Sequence, residues 1–152
     1  MEDYRSISKP YLKYIVKEYQ YWTLMLADDQ RYLGRAYVWL VREGKMQRLS
    51  RLFPQEEFEL FRIMNRYEHA LEELWQPDHM NYSWLGNLLT AHGGHGHMHL
   101  IPRYQLPRVF KGIQFSDGRF KKGKEKNCWP YKPFKVENEL MYKIKDAILA
   151  EL

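Results

Sequence analysis

The chain has 152 residues, 45% of them hydrophobic, which is enough to bury the core of one domain and argues against both disorder and a two-domain chain. Its formal net charge of +5 favours anionic partners such as phosphates and nucleotides, although a mildly basic solvated surface would give the same number. A single cysteine, Cys128, excludes an internal disulfide and fits a reducing compartment.

Residues Met1 to Lys9 are charged and lack an apolar core, so no secretory leader is expected. No stretch approaches the roughly 18 apolar residues of a membrane span, and a cytoplasmic location without membrane contact is the expectation. Pro10, Leu12, Ile15, Val16 and Tyr19 have helical spacing and predict a short leading helix. Tyr21 to Leu26 reads as a strand, followed by the turn chemistry of Asp28-Asp29-Gln30, and Ala36 to Val41 reads as a second, buried strand.

Pro54 opens a long helix. Leu60, Met64, Tyr67, Leu71 and Leu74 recur at alternating steps of four and three, Glu56 and Glu57 sit in its first turn, and Pro77 ends it. Met80 to Leu89 and His95 to Tyr104 read as two further strands. The glycines and prolines between Pro107 and Pro133 predict an irregular stretch, placed at about 105–134, whose Lys121 to Lys126 run reads as a solvated loop. Leu140, Ile144, Ala147 and Ile148 share one face of a closing helix at about 136–151. There is no internal repeat. The order of elements predicts one α+β domain over 1–152, with antiparallel pairing.

Four of the six histidines lie within eight residues: His92, His95, His97 and His99. In a strand, alternate side chains share a face, so His95, His97 and His99 form one imidazole row, with Gly96, Met98 and Leu100 opposite. Such a row can be a set of surface histidines, a metal site with His92 as a loop ligand, or a nucleophilic centre. Imidazole is largely uncharged at neutral pH and attacks phosphorus competently, splitting one hard step into two. Neighbouring imidazoles can stabilise phosphate oxygens or protonate a leaving group. His97 is the natural nucleophile, because it alone is flanked by histidines on both sides. No helix presents a dense Lys/Arg face, so nucleic acid is not the expected partner.

The segment His95-Gly96-His97-Met98-His99-Leu100-Ile101 resembles the His-x-His-x-His signature of the histidine-triad (HIT) superfamily, and Pro102-Arg103-Tyr104 continues it. Asn81 to Asn87 resembles the Asn-rich strand that precedes the triad in that family, and Asp29 to Arg35, Pro107 to Gly112 and Phe115-Ser116-Asp117 resemble pieces of a bacterial HIT-like hydrolase subgroup. The resemblance covers roughly residues 20 to 150. It implies a five-stranded antiparallel sheet packed with one long central helix and a C-terminal helix, and usually a homodimer. It implies hydrolysis or transfer at the α-phosphate of a nucleoside phosphoramidate or dinucleoside polyphosphate, through a nucleotidyl-histidine and with no cofactor required. By the same resemblance His97 attacks phosphorus and His95 orients it, largely through its backbone, while His99 bonds phosphate or the leaving group. Asn87 is then a polar contact near the phosphate, and Asp29 and Gln30 lie where an acidic or amide group reaches the ribose.

The sequence departs from the family at several points. Gly96 replaces a bulkier residue and is expected to loosen the strand. Arg35 stands where many relatives have histidine, and its guanidinium suits a phosphate. His92-Gly93-Gly94 replaces the usual Gly-Gln-Ser, leaving backbone amides, Gly94 among them, to meet the phosphate. These departures keep two rivals open: a non-catalytic nucleotide-binding or interaction module with the same fold, and a His-rich metal-binding protein.

Overall fold

The computed structural model describes residues 9–42, 46–88, 95–120 and 133–152. Five strands, β1 (Ile15–Glu18), β2 (Trp22–Leu26), β3 (Ala36–Leu40), β4 (His79–Ser83) and β5 (His97–Arg103), form one sheet in the order β1-β2-β3-β5-β4. Every pairing in it is antiparallel. The long helix α1 (Pro54–Trp75) joins β3 to the β4–β5 pair, and α2 (Asn138–Glu151) closes the chain. This is the α+β arrangement that the element order predicts.

Strand alternation divides the sheet into two faces. Trp22, Leu24, Leu26, Val38, Leu40, Met98 and Leu100 point to one side and bury against Leu60, Ile63, Tyr67 and Leu71 of α1 and Ile144 and Ile148 of α2. Their partners of opposite parity, Met25 and Trp39, form a second, smaller cluster on the other side, with Tyr11, Ile15, Tyr37 and Val41 packed around it. The histidines of β5 share the parity of Trp39 and Tyr37, so they belong to this second face.

The start of α1 is tied to the sheet. Its third residue, Glu56, is 2% exposed and accepts the Phe53 N–H at 2.8 Å, satisfying a donor left open by the helix end. The same carboxylate takes a two-pronged bond from Arg42, at 2.7 and 3.0 Å, just beyond β3. The Trp22 indole of β2 donates to the Glu56 carbonyl at 2.8 Å.

The structure corrects the reading of the N-terminus. Lys9–Tyr14 is a 3-10 helix, after which Ile15–Glu18 pairs with β2 as an edge strand. Short apolar runs do not separate helix from strand by spacing alone, and the β-branched Ile15 and Val16 suit the sheet. The stretch after Pro107 is also less irregular than expected. β6 (Arg108–Phe110) and β7 (Ile113–Phe115) form a hairpin across Lys111 and Gly112, which have φ of 49° and 79°. Two successive positive φ values are what a tight two-residue hairpin of this hand needs. The hairpin caps α1 from outside, as Arg108 donates to the carbonyls of Trp75 and Gln76 at 2.7 and 2.8 Å.

Candidate active site

The histidine row lies on β5 and its lead-in, facing two aromatic residues of β3. Pairing register sets His97 opposite Trp39 and His99 opposite Tyr37. The rings of His97 and Trp39 are stacked, with centroids 4.2 Å apart and planes 16° from parallel. Tyr37 meets the edges of His97 and His99 at 5.7 and 4.9 Å, and the two imidazoles are themselves 4.9 Å apart. His95 also lies over Trp39, at 6.0 Å. Sequence reading placed the three histidines together but missed the aromatic wall. Its signal was the alternation of Tyr37 and Trp39 along a strand whose partner was not yet known.

Hydrogen bonds assign the ring nitrogens. His97 Nδ1 is 3.3 Å from the His95 carbonyl, and a carbonyl can only accept, so Nδ1 carries the proton and the neutral ring's lone pair is on Nε2. His95 Nε2 donates to the Leu40 carbonyl, and Leu40 N–H returns a bond to the Gly96 carbonyl at 3.0 Å. His95 is therefore locked into β3 and is 1% exposed, while His97 is 4% exposed and His99 half-buried. Burial pushes the Tyr37 hydroxyl above its ordinary pKa, against the opposing pull of Arg35, so it is protonated at neutral pH.

Gly96 lies just before β5, and its carbonyl accepts from the Leu40 N–H of β3. Trp84, just past β4, fills the space where a side chain at position 96 would stand, and it meets Trp22 edge-on at 6.4 Å. The Trp84 indole also donates to the Gln47 carbonyl at 2.9 Å, tying the segment after β3 to the end of β4.

The turn between β2 and β3 holds the other candidates. Asp29 is 5% exposed, and its carboxylate accepts from Arg31 N at 3.1 Å, Phe134 N at 2.8 Å and Arg35 Nη1 at 3.0 Å. Gln30 is fully buried; its amide donates to the carbonyls of Ala27 and Arg35 and accepts from Gly34 N–H. Gln30 is thus a staple inside the turn. Tyr67 and Tyr104 clamp the same turn through the Gly34 and Leu33 carbonyls, at 2.6 and 2.7 Å. Gly34 has φ of 86°, and a Cβ there would stand 2.8 Å from Leu71.

Arg35 emerges from this turn with its guanidinium 5.7 Å from the Tyr37 ring. Its Nη1 is held by Asp29, while its buried Nε has no hydrogen-bond partner among the described residues. The guanidinium stands next to Tyr37, whose ring in turn meets the edge of His99.

Asn87 lies in an exposed turn after β4. Because Ser83 pairs with His99, the chain beyond it runs past the His97 and His95 end of β5. Gly94, His92 and Cys128 lie outside the described residues. The Arg103 of the Pro-Arg-Tyr ending forms a two-pronged bond to buried Asp117, at 2.6 and 3.1 Å, so it anchors the segment after β7.

A cavity of about 700 Å³ opens elsewhere, between Tyr19–Tyr21 and the first turns of α1, and none of the candidate residues lines it. Chemistry rather than concavity therefore marks the site. Among the described residues, no three His, Cys, Asp or Glu side chains are grouped to hold a metal ion. Nor is any helix among them long and apolar enough to cross a membrane.

The fold is that of histidine triad proteins. A histidine triad protein from Sinorhizobium meliloti 1021 superposes with a TM-score of 0.68 at 16% identity, over 91% of this chain and 88% of its own. One from Bradyrhizobium japonicum gives 0.66 at 16%, over 90% and 88%. A hypothetical histidine triad nucleotide-binding protein from Sulfolobus tokodaii strain7 gives 0.66 at 17%, over 97% and 89%. A scan against protein-family models finds no match, and a search of curated proteins finds none.

Proposed function

We propose that this protein is a nucleotide hydrolase or nucleotidyl transferase in which His97 is the nucleophile. One observation carries the reading. The central imidazole of a three-histidine row, on a histidine-triad fold, has Nδ1 against the His95 carbonyl, so that in its neutral form the proton is on Nδ1 and the lone pair on Nε2. An oriented neutral imidazole of this tautomer is ready to attack phosphorus without first losing a proton.

Attack of Nε2 on the α-phosphorus of a nucleoside phosphoramidate or dinucleoside polyphosphate forms an N–P bond. The bond to the leaving group breaks, and that group takes the electron pair. His99, 4.9 Å from His97 between ring centroids, donates the proton the leaving group needs. Water then attacks phosphorus and gives its proton back to His99; the N–P bond breaks with its electron pair returning to Nε2, and the nucleoside monophosphate is released.

Arg35, with its unsatisfied buried Nε, binds a phosphate oxygen, and Asn87 and the Gly94 amide contribute further polar contacts. Asp29 acts by holding Arg35 in place. The scheme uses protein groups alone and requires no cofactor. A homodimer in the cytoplasm is the setting we assign to it.

The reading is tested by mixing the intact protein with adenosine 5′-phosphoramidate and diadenosine polyphosphates, following AMP release by chromatography and adducts by mass spectrometry. Release of AMP that His97→Ala abolishes, with the fold retained, is the expected result. Unchanged turnover in that variant sinks the nucleophile assignment. Nucleotide binding without product or adduct favours a binding module instead.

A further inference from the structure

The bond that orients His97 is weak by its geometry. At 3.3 Å, the Nδ1 contact to the His95 carbonyl lies beyond the usual 2.7–3.2 Å range for N–H···O bonds. A contact of that length sets the direction of the ring edge but restrains the ring plane poorly. The plane is restrained by Trp39.

Register places the two residues directly opposite each other on adjacent strands, and the rings lie 4.2 Å apart and within 16° of parallel. The indole is 2% exposed and the imidazole 4%, so the contact is made away from water. Trp39 is itself wedged against Met25, with Tyr11 and Ile15 packed beside that pair. It is a fixed plate rather than a mobile cover.

We propose that Trp39 is a positioning residue for His97, holding the imidazole plane for attack and stabilising the charged ring that the attack creates. The proposal rests on the reading of His97 as nucleophile. When Nε2 bonds to phosphorus and the leaving group departs with the electron pair, Nδ1 keeps its proton. The ring is then substituted on both nitrogens and is an imidazolium until water breaks the N–P bond. The negative face of an indole attracts a cation far more than a neutral ring, and more so in a dry setting. Trp39 therefore favours the covalent intermediate, and the transition state leading to it, over the free enzyme and the bound substrate. An interaction of that kind acts on kcat and leaves substrate binding nearly untouched.

The test compares wild type, Trp39→Phe and Trp39→Leu on adenosine 5′-phosphoramidate, with folding checked by circular dichroism. Trp39→Leu is expected to lose roughly tenfold to thirtyfold in kcat, the scale of a desolvated cation–π contact, while KM stays within about threefold. Trp39→Phe keeps a ring face and recovers most of the loss. If the leucine variant does not fold, the phenylalanine variant decides, with a fall of about twofold to fivefold in kcat at constant KM.

Wild-type kcat in the folded variant, or a loss confined to KM, overturns the proposal and leaves the nucleotide reading intact. A wild type inert on these compounds overturns the nucleotide reading instead. The stack is read apart from turnover by the NMR shifts of the His97 ring protons. They are expected to lie upfield in wild type and to move back in Trp39→Leu; shifts identical in the two proteins overturn the proposal whatever the activity.

Discussion

The indole of Trp84 occupies the space above Gly96, so that a Cβ at position 96 would lie 2.4 Å from one ring carbon and 2.8 Å from the next. The Met46 carbonyl closes the same space at 2.9 Å. The glycine between the first two histidines is therefore a packing requirement, and the large ring at position 84 is its counterpart.

Gly96→Val is accordingly expected to destabilise the protein by about 1–3 kcal/mol, as overpacking does in well-filled interiors. For a chain of this length that corresponds to a fall of roughly 2–4 °C in Tm per kcal/mol. Combining it with Trp84→Leu should cost less than the sum of the two single changes, because each residue creates the other's problem. Thermal unfolding of the four proteins checks this, and strict additivity would mean that the two sites do not compete for the same space.

Glu56 makes the stability pH-dependent. Burial alone would push its carboxyl up, but the Arg42 guanidinium and the Phe53 N–H outweigh it and hold the group below its usual value. A group with a depressed folded pKa contributes stability above its unfolded pKa, about 4.3, and loses that contribution as pH falls through the lower folded value. Glu56→Gln should thus cost about 1–3 kcal/mol at pH 7, the range being kept low because the Arg42 side chain is 36% exposed. The difference from wild type should shrink towards pH 2 or so. Urea unfolding at the two pH values measures it; a difference that does not change with pH would remove ionisation from the account.

Arg35 tests the substrate side of the site. Arg35→Lys keeps a positive charge facing Asp29 but loses the planar fork and the Nε donor. KM for adenosine 5′-phosphoramidate is expected to rise roughly tenfold, about 1.4 kcal/mol, with kcat changed much less. Steady-state kinetics decide it, and an unchanged KM would assign Arg35 to the turn alone.

The sequence was most legible where a single local rule applies. Period-two alternation put three histidines on one face of a strand, and the spacing of Leu60, Met64, Tyr67 and Leu71 defined α1 without help from the rest of the chain. It was least legible where the outcome depends on a partner far along the chain. Ile15 and Val16 became strand because β2 offered them an edge, and Lys111-Gly112 became a hairpin turn whose arginine caps a helix more than 30 residues earlier. Gln30 reads as an available polar group until the fold closes around it and consumes its amide.

The same division runs through the site. The residue types, their spacing and their common face are local properties, since the geometry of a strand dictates them wherever the strand lies. Which surface the nucleophile rests on is not local. Strand order and register brought Trp39 opposite His97 and Trp84 over Gly96, and these contacts join residues 58 and 12 positions apart in the chain. Only the closing of the sheet, driven by burial of its other face against α1 and α2, could decide them.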